Sequence, residues 1–361
     1  MPIDPKSLIG FGAEATSRSV KRVSNLPAPI RQAITGDPIE IDGQVLDHES
    51  QVVLKAGEWA RPDTLTPDNV AEFRLFGNSS AIMGGGSPLP IAEERNFSIP
   101  TQTGPIEGRL YRPVTGDAVT PGLLYLHGGS WIFGNIDTHA NVCRMIAMAA
   151  NVTVLAIHYS LSPERVFPFA LNEVRDAWHW MHARKDELGI TGGIAIAGDS
   201  AGANMATVHC IRARDEGWPT PSFQLLFVPP TDMVSMTYSR ERFKEGFFLT
   251  EADLVQAAEN YLGGDHSLLT NPLVSPILCE NLSGLPSAHI ATAGFDPLRD
   301  YGEAYGNALR EAGVQVDICR HATLLHPFVN LIGVSHAARE AVAVAAGALR
   351  MGIASAGIYV P

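Results

Sequence analysis

The stretch Gly193–Asn204, reading GIAIAGDSAGAN, decides the fold. Ile194, Ala195, Ile196 and Ala197 form an apolar run that suits a strand buried on both faces. Gly198-Asp199-Ser200-Ala201-Gly202 follows, then a run of Ala, Met and Val that reads as a helix. A serine between two glycines at a strand-to-helix junction is the pattern of a nucleophile elbow. The turn is too tight for large neighbours, and it pushes the Ser200 side chain above the sheet with the next helix N-terminus aimed at it. The same letters also fit a glycine-rich turn in which Ser200 only caps a helix. The surrounding chain has to decide.

Outward from this stretch the chain alternates strand and helix. Strands are expected at 123–127, 152–159, around 194–198, 223–229, 288–294 and 314–320, with two more between 94 and 113 joined at Thr103-Gly104-Pro105. Helical patterns lie at roughly 138–150, 168–187, 201–214, 299–312 and 334–350. Such alternation implies a mostly parallel sheet with helices on both faces. Before it, the recurrence of Val52-Val53 at Trp59-Ala60 fits an amphipathic helix. Thr66-Pro67-Asp68 reads as the start of another, carrying Val70, Phe73 and Phe76 and ending in GNSS and the glycines at 84–86. Residues 1 to about 40 receive no assignment. More than fifty residues separate the strand ending near Pro230 from the one at Ala288, with a helix start at Thr250-Glu251-Ala252-Asp253. An insertion of this length is usually functional, and with the first 90 residues it reads as a lid. The expected division is 1–90 for the N-terminal extension and lid helices, 91–230 and 271–361 for the two parts of the core, and 231–270 for the inserted part of the lid.

Composition narrows the class. The 361 residues are 45% hydrophobic and 18% charged, with a formal net charge of −12, which argues against nucleic acid or an anionic membrane surface as partner. Cys143, Cys210, Cys279 and Cys319 are widely spaced with no CxxC pair, so buried free thiols are expected, with neither a metal site nor a disulfide framework. The opening MPIDPKSLIG shows no charged segment followed by an apolar core, and no apolar run approaches membrane-spanning length. A cytoplasmic location is the resulting expectation.

A serine hydroxyl is a weak nucleophile that needs a positioned base, which in turn needs an orienting carboxylate. After a G-x-S-x-G elbow these partners follow in the order acid, then histidine. Asp296 directly follows the strand HIATAG and fits the carboxylate, although Asp before Pro297 is also a good helix cap; Asp300 competes from one turn further on. His326, in LLHPF on a loop before the last helix, fits the base better than His321, which abuts the strand. His127-Gly128-Gly129-Ser130-Trp131 follows an early strand, and Gly128, Gly129 and Ala201 are the predicted main-chain donors for a developing oxyanion.

Four blocks together resemble the hormone-sensitive-lipase group of α/β-hydrolases, the bacterial family IV carboxylesterases: HGGSW (127–131), YSLSPE (159–164), GDSAGAN (198–204), and FDPLRD with LLHPF thirty residues later. NPLVSP (271–276) is similar to the segment returning from that family's cap, and the likeness spans roughly 41–350. The resemblance implies an α/β-hydrolase fold with an eight-stranded, mostly parallel sheet and a helical cap. It also implies a triad of Ser200, Asp296 and His326 acting on short- to medium-chain acyl esters, with neither metal nor cofactor. Many such proteins dimerise, but no residue here argues for a homodimer. Departures from the family pattern are Ser130 for the last glycine of HGGG, Ser160 for an arginine, Ala203 for a glycine, and His321 and Pro327 beside the base. The same triad would serve amides or lactones. Receptors built on this fold form a further class, set apart because they typically lose a triad member.

Overall fold

In the computed structural model, which describes residues 5–60, 65–66, 68–113 and 120–355, a two-residue ladder, β1 (Glu40–Ile41) with β2 (Gln44–Val45), precedes the main sheet. The strands of that sheet are β3 (Glu93–Ile99), β4 (Ile106–Arg112), β5 (Gly122–Leu126), β6 (Thr153–His158), β7 (Ile194–Asp199), β8 (Gln224–Phe227), β9 (Ala288–Phe295) and β10 (Val316–Leu325). Their spatial order is β10-β9-β8-β7-β5-β6-β4-β3. Only the β3–β4 and β4–β6 pairings are antiparallel. Strands β5, β7, β8 and β9 are buried at every position, as their apolar runs require when helices cover both faces.

The N-terminal part holds α1 (Pro5–Ser24), α2 (Ala28–Thr35), α3 (His48–Ala60) and α4 (Val70–Gly85). Helices α5 (Ala140–Ala150), α6 (Phe169–Ala183) and α7 (Ala201–Asp215) lie between strands. Next come α8 (Tyr238–Arg242), α9 (Glu251–Leu262), α10 (Arg299–Glu311) and α11 (His336–Ser355). Helices α5 and α11 share one apolar cluster with the sheet, containing Ile146, Val154, Phe227 and Val342. Helices α6, α7 and α10 share the opposite one, containing Trp178, Met205, Ile196 and Tyr305. The mostly parallel sheet with helices on both faces, expected from the alternation, is therefore present, and its eight strands match what the resemblance implies.

Three expectations need correction. Residues 5–24 and 28–35, unassigned from sequence, are helices; α1 packs on α3 and α4, and the Ser17 hydroxyl donates to the Gly333 carbonyl at 2.8 Å. Helix α4 starts at Val70, with Asn69 before it, rather than at Thr66-Pro67-Asp68, and Pro67 lies outside the described residues. It also continues through Gly77-Asn78-Ser79-Ser80 to Gly85. Helix propensity is poor there, but tertiary contact wins: the face at Gly77 lies against Phe133, Gly84 against Asn330, and Asn78 accepts the Gly134 N–H at 2.8 Å. Of the four thiols, Cys143 and Cys210 are buried as expected, whereas Cys279 and Cys319 are half-exposed.

The segment 231–270 packs against the N-terminal helices. Leu54 of α3 joins Phe243 and Phe247, while Val70 and Phe73 of α4 join Ala257 of α9. The α9 start at Thr250 forms a full capping box with Asp253. Arg74 of α4 ties this layer to the core, donating to the carbonyls of Ile132 (2.6 Å) and Ser162 (2.8 Å) and to both Glu164 carboxylate oxygens. Among the described residues no helix is long and apolar enough to cross a membrane.

Burial of neutral histidines gives the fold an acid-side weakness. His209 of α7 is 2% exposed, lies edge-on to Trp178, and among the described residues its Nε2 has no hydrogen-bond partner. Burial, aided by Arg212, pushes its pKa down to about 3. The unfolded chain takes up the proton near the ordinary imidazole value of about 6.5. Stability from this group is therefore full above that pH and falls on acidification until the folded pKa is reached. One proton corresponds to a slope of about 1.4 kcal/mol per pH unit. Urea unfolding of His209→Phe between pH 6.5 and 4.5 should show a shallower loss of stability than wild type by about that slope; parallel curves would contradict the assignment.

Candidate active site

The strand-to-helix turn is built by exclusion. A Cβ on Gly198 would strike the backbone of Gly202, and one on Gly202 would strike the carbonyl oxygen of Leu126 at the end of β5. With both positions bare, α7 packs its first turn directly onto the sheet. Ser200 takes φ 51°, in the left-handed region rarely used by residues with a side chain. Its N–H donates to the Phe227 carbonyl at 2.9 Å, which fixes the turn on the neighbouring strand β8.

Register places the partners. Phe295 of β9 pairs with Leu325 of β10, so the residues that follow, Asp296 and His326, leave adjacent strand ends side by side. His326 Nδ1 lies 2.9 Å from Asp296 Oδ2, and His326 Nε2 lies 3.0 Å from Ser200 Oγ. Asp296 is fully buried, and its other oxygen accepts the Leu298 N–H at 2.8 Å. One carboxylate thus lies against the imidazole and closes the turn ahead of α10, whose cap position is Leu298, so the reading of Asp296 as the helix cap with Pro297 as first helical residue is not realised.

The competitors sit elsewhere. Asp300 accepts the Ser239 N–H at 2.8 Å and holds α8 against α10. His321 lies within β10 beside Phe328, and burial pushes its pKa down to about 4. Neither reaches Ser200. Where an arginine was expected, Ser160 gives both its N–H and its hydroxyl to the buried Glu173, at 2.6 and 2.7 Å.

The predicted oxyanion donors need one correction. The Gly128 N–H is already taken, donating to Asp199 Oδ1 at 3.0 Å, and a Cβ at Gly128 would collide with that carboxylate. Gly129 keeps φ 118°, and Ser130 follows at φ 55°. Among the described residues none accepts the N–H of Gly129, Ser130 or Ala201. Gly129 and Ser130 line the same cavity as Ser200 and His326, and Ser130 and Ala201 line a second one that also reaches Ser200. The main-chain N–H groups beside Ser200 that have no acceptor among the described residues are therefore those of Gly129, Ser130 and Ala201. Sequence could not show that Asp199, 71 residues away, consumes the Gly128 group.

Asp199, the residue before Ser200, is a further member of this cluster. It is buried and also accepts from the Tyr125 hydroxyl (2.8 Å), with His139 Nε2 at 3.1 Å. Burial alone would raise its pKa, but His139 and the Tyr125 hydrogen bond hold it below the usual carboxylate value. The carboxylate clamps the His127–Ser130 loop to the end of β7. No described group of His, Cys, Asp and Glu forms a metal-binding cluster. A serine on a strained turn, a histidine with a buried carboxylate behind it and nearby N–H groups without acceptors can carry acyl transfer.

Comparisons with known proteins bear on the fold and family. The family model described as alpha/beta hydrolase fold matches residues 123–330. The carboxylic ester hydrolase LipN of Mycobacterium tuberculosis is 39% identical over 320 residues, which cover 86% of this chain and 85% of that protein. The ethyl acetate hydrolase of Pseudomonas putida is 32% identical, covering 77% of this chain and 88% of its own. Among solved structures, a hyperthermophilic esterase from the archaeon Pyrobaculum calidifontis superposes with a TM-score of 0.77 at 34% identity, over 84% of this chain and 96% of that one.

Asp199→Ala leaves the Gly128 N–H, the Tyr125 hydroxyl and His139 without their common acceptor. It should cost roughly 3–5 kcal/mol of stability in urea unfolding, the usual penalty for breaking a buried charged cluster. A change below about 1 kcal/mol, the net worth of one ordinary hydrogen bond, would show that the clamp is dispensable.

Proposed function

This chain belongs to the α/β-hydrolase family, in its hormone-sensitive-lipase-like group, and from that premise we propose that it is a serine carboxylesterase acting through Ser200, His326 and Asp296. The observation that carries the proposal is the relay from Ser200 Oγ through both ring nitrogens of His326 to Asp296, at 3.0 and 2.9 Å.

In this reading Ser200 Oγ attacks the ester carbonyl carbon while His326 Nε2 takes the hydroxyl proton. Asp296 Oδ2 accepts from Nδ1, fixes the tautomer and stabilises the imidazolium. The carbonyl oxygen becomes an oxyanion facing the N–H groups of Gly129, Ser130 and Ala201, whose dipoles are already oriented. Collapse breaks the bond to the alcohol oxygen, which leaves with the proton from His326. Water then gives its proton to His326 and attacks the acyl-enzyme, releasing the carboxylic acid and restoring Ser200. Helices α1–α4 and the segment 231–270 serve as the cap that shapes the binding cavities. The acyl range in this reading is short to medium; its short end finds support in the relative named an ethyl acetate hydrolase.

Initial rates on p-nitrophenyl esters from acetate to palmitate test this. Wild type should peak at short chains, and Ser200→Ala should lose at least about 1,000-fold in kcat while unfolding normally in urea. Near-wild-type turnover by the variant would remove Ser200 as nucleophile.

A further inference from the structure

Two cavities meet at Ser200, and they are unequal. The larger, about 480 Å3, runs from Ser200 and His326 outward beneath α1, α3 and α4. Its walls are largely apolar, with Val53, Phe73, Phe76, Phe133, Phe248 and Val334. The smaller, about 250 Å3, lies on the other side of Ser130 and Leu249, which line both. It is bounded by Trp131 and Ala201 from the core and by Leu254 and Ala258 from α9. The charged groups on its wall are already engaged. Arg240 binds both Glu251 oxygens at 2.7 and 2.8 Å, and Asp232 accepts the N–H groups of Val234 and Ser235.

Proton transfer decides which half of an ester each cavity holds. In the tetrahedral intermediate the carbonyl carbon carries Ser200 Oγ, the oxyanion, the acyl chain and the alcohol oxygen. Besides Ser200 Oγ, which is already there, only the alcohol oxygen must come within hydrogen-bond reach of His326 Nε2, because it leaves with that proton. His326 and the residues after it, Pro327, Asn330 and Leu331, line the larger cavity and not the smaller. On the opposite side of the serine, Ala201 lines the smaller cavity and not the larger.

We infer that the larger cavity receives the alcohol part and the smaller cavity the acyl part, so that the enzyme prefers esters joining a compact acid to a bulky apolar alcohol. This rests on the esterase reading above and adds the direction in which the substrate lies. It inverts the usual expectation that a large apolar cavity sets the acyl-chain range. The larger cavity has nearly twice the volume of the smaller and is walled on one side by α4, whereas the smaller is walled by α9.

Octyl acetate and ethyl octanoate are isomers that place the same long chain on opposite sides of the ester, so their hydrophobicity hardly differs. The expected result is a kcat/KM for octyl acetate at least about tenfold above that for ethyl octanoate, the scale on which a misfitted methylene group is rejected. Ala81→Phe fills the larger cavity from α4 and should lower that ratio. Ala258→Phe fills the smaller one from α9 and should raise it. Equal rates, a preference for ethyl octanoate, or variants moving the ratio in the opposite senses would overturn the assignment while leaving the esterase intact. Failure to hydrolyse ethyl acetate as well as both isomers would instead sink the esterase reading, and this assignment with it.

Discussion

The contact between the first turn of α7 and the carboxyl end of β5 has no room for a side chain. Gly198 and Gly202 let the helix backbone rest on the Leu126 carbonyl, and everything at the site is referred to that contact. It forces Ser200 into the left-handed region, aims the first N–H groups of α7 at the space above the serine, and brings Asp199 beneath the His127–Ser130 loop. A strained residue persists only where its surroundings over-determine it, and here two glycine contacts and the bond from Ser200 N–H to Phe227 do so.

Asp199 extends this constraint sideways. By accepting from Gly128, Tyr125 and His139, it consumes one main-chain donor of the loop and leaves the next two facing the cavity. The cost of burying the carboxylate is offset by three partners, the pattern that lets a buried charge persist. The layer above is attached more loosely, by aromatic packing of Phe243, Phe247 and Phe73 and by the Arg74 hydrogen bonds to Ile132 and Ser162. Ile132 follows the donor loop directly, so the layer that shapes the cavities also braces the loop carrying Gly129 and Ser130.

Much of this was legible in the sequence because it rests on short-range patterns. Strand period, the glycines around Ser200 and the chain order of Ser200, Asp296 and His326 are local or ordinal features, and they located the sheet and the residues that meet at its edge. What escaped depends on distant contacts. Nothing in the letters HGGS says which N–H is free until Asp199 is placed against Gly128. Nor do GNSS and the glycines after it announce a helix until Phe133 packs beside Gly77 and Asn330 beside Gly84. Helix α1 is held by packing on α3 and α4 and by Ser17 on Gly333, partners that the letters of the first 40 residues do not announce.

The central claim is that Ser200 is a nucleophile activated by His326. Incubation with diethyl p-nitrophenyl phosphate, followed by intact mass and peptide mapping, tests it most directly. The account predicts a single diethylphosphoryl group on Ser200, formed in step with loss of esterase activity and much more slowly in His326→Ala. Inactivation with the label on another residue, or full ester hydrolysis by a protein that takes no label, would contradict it.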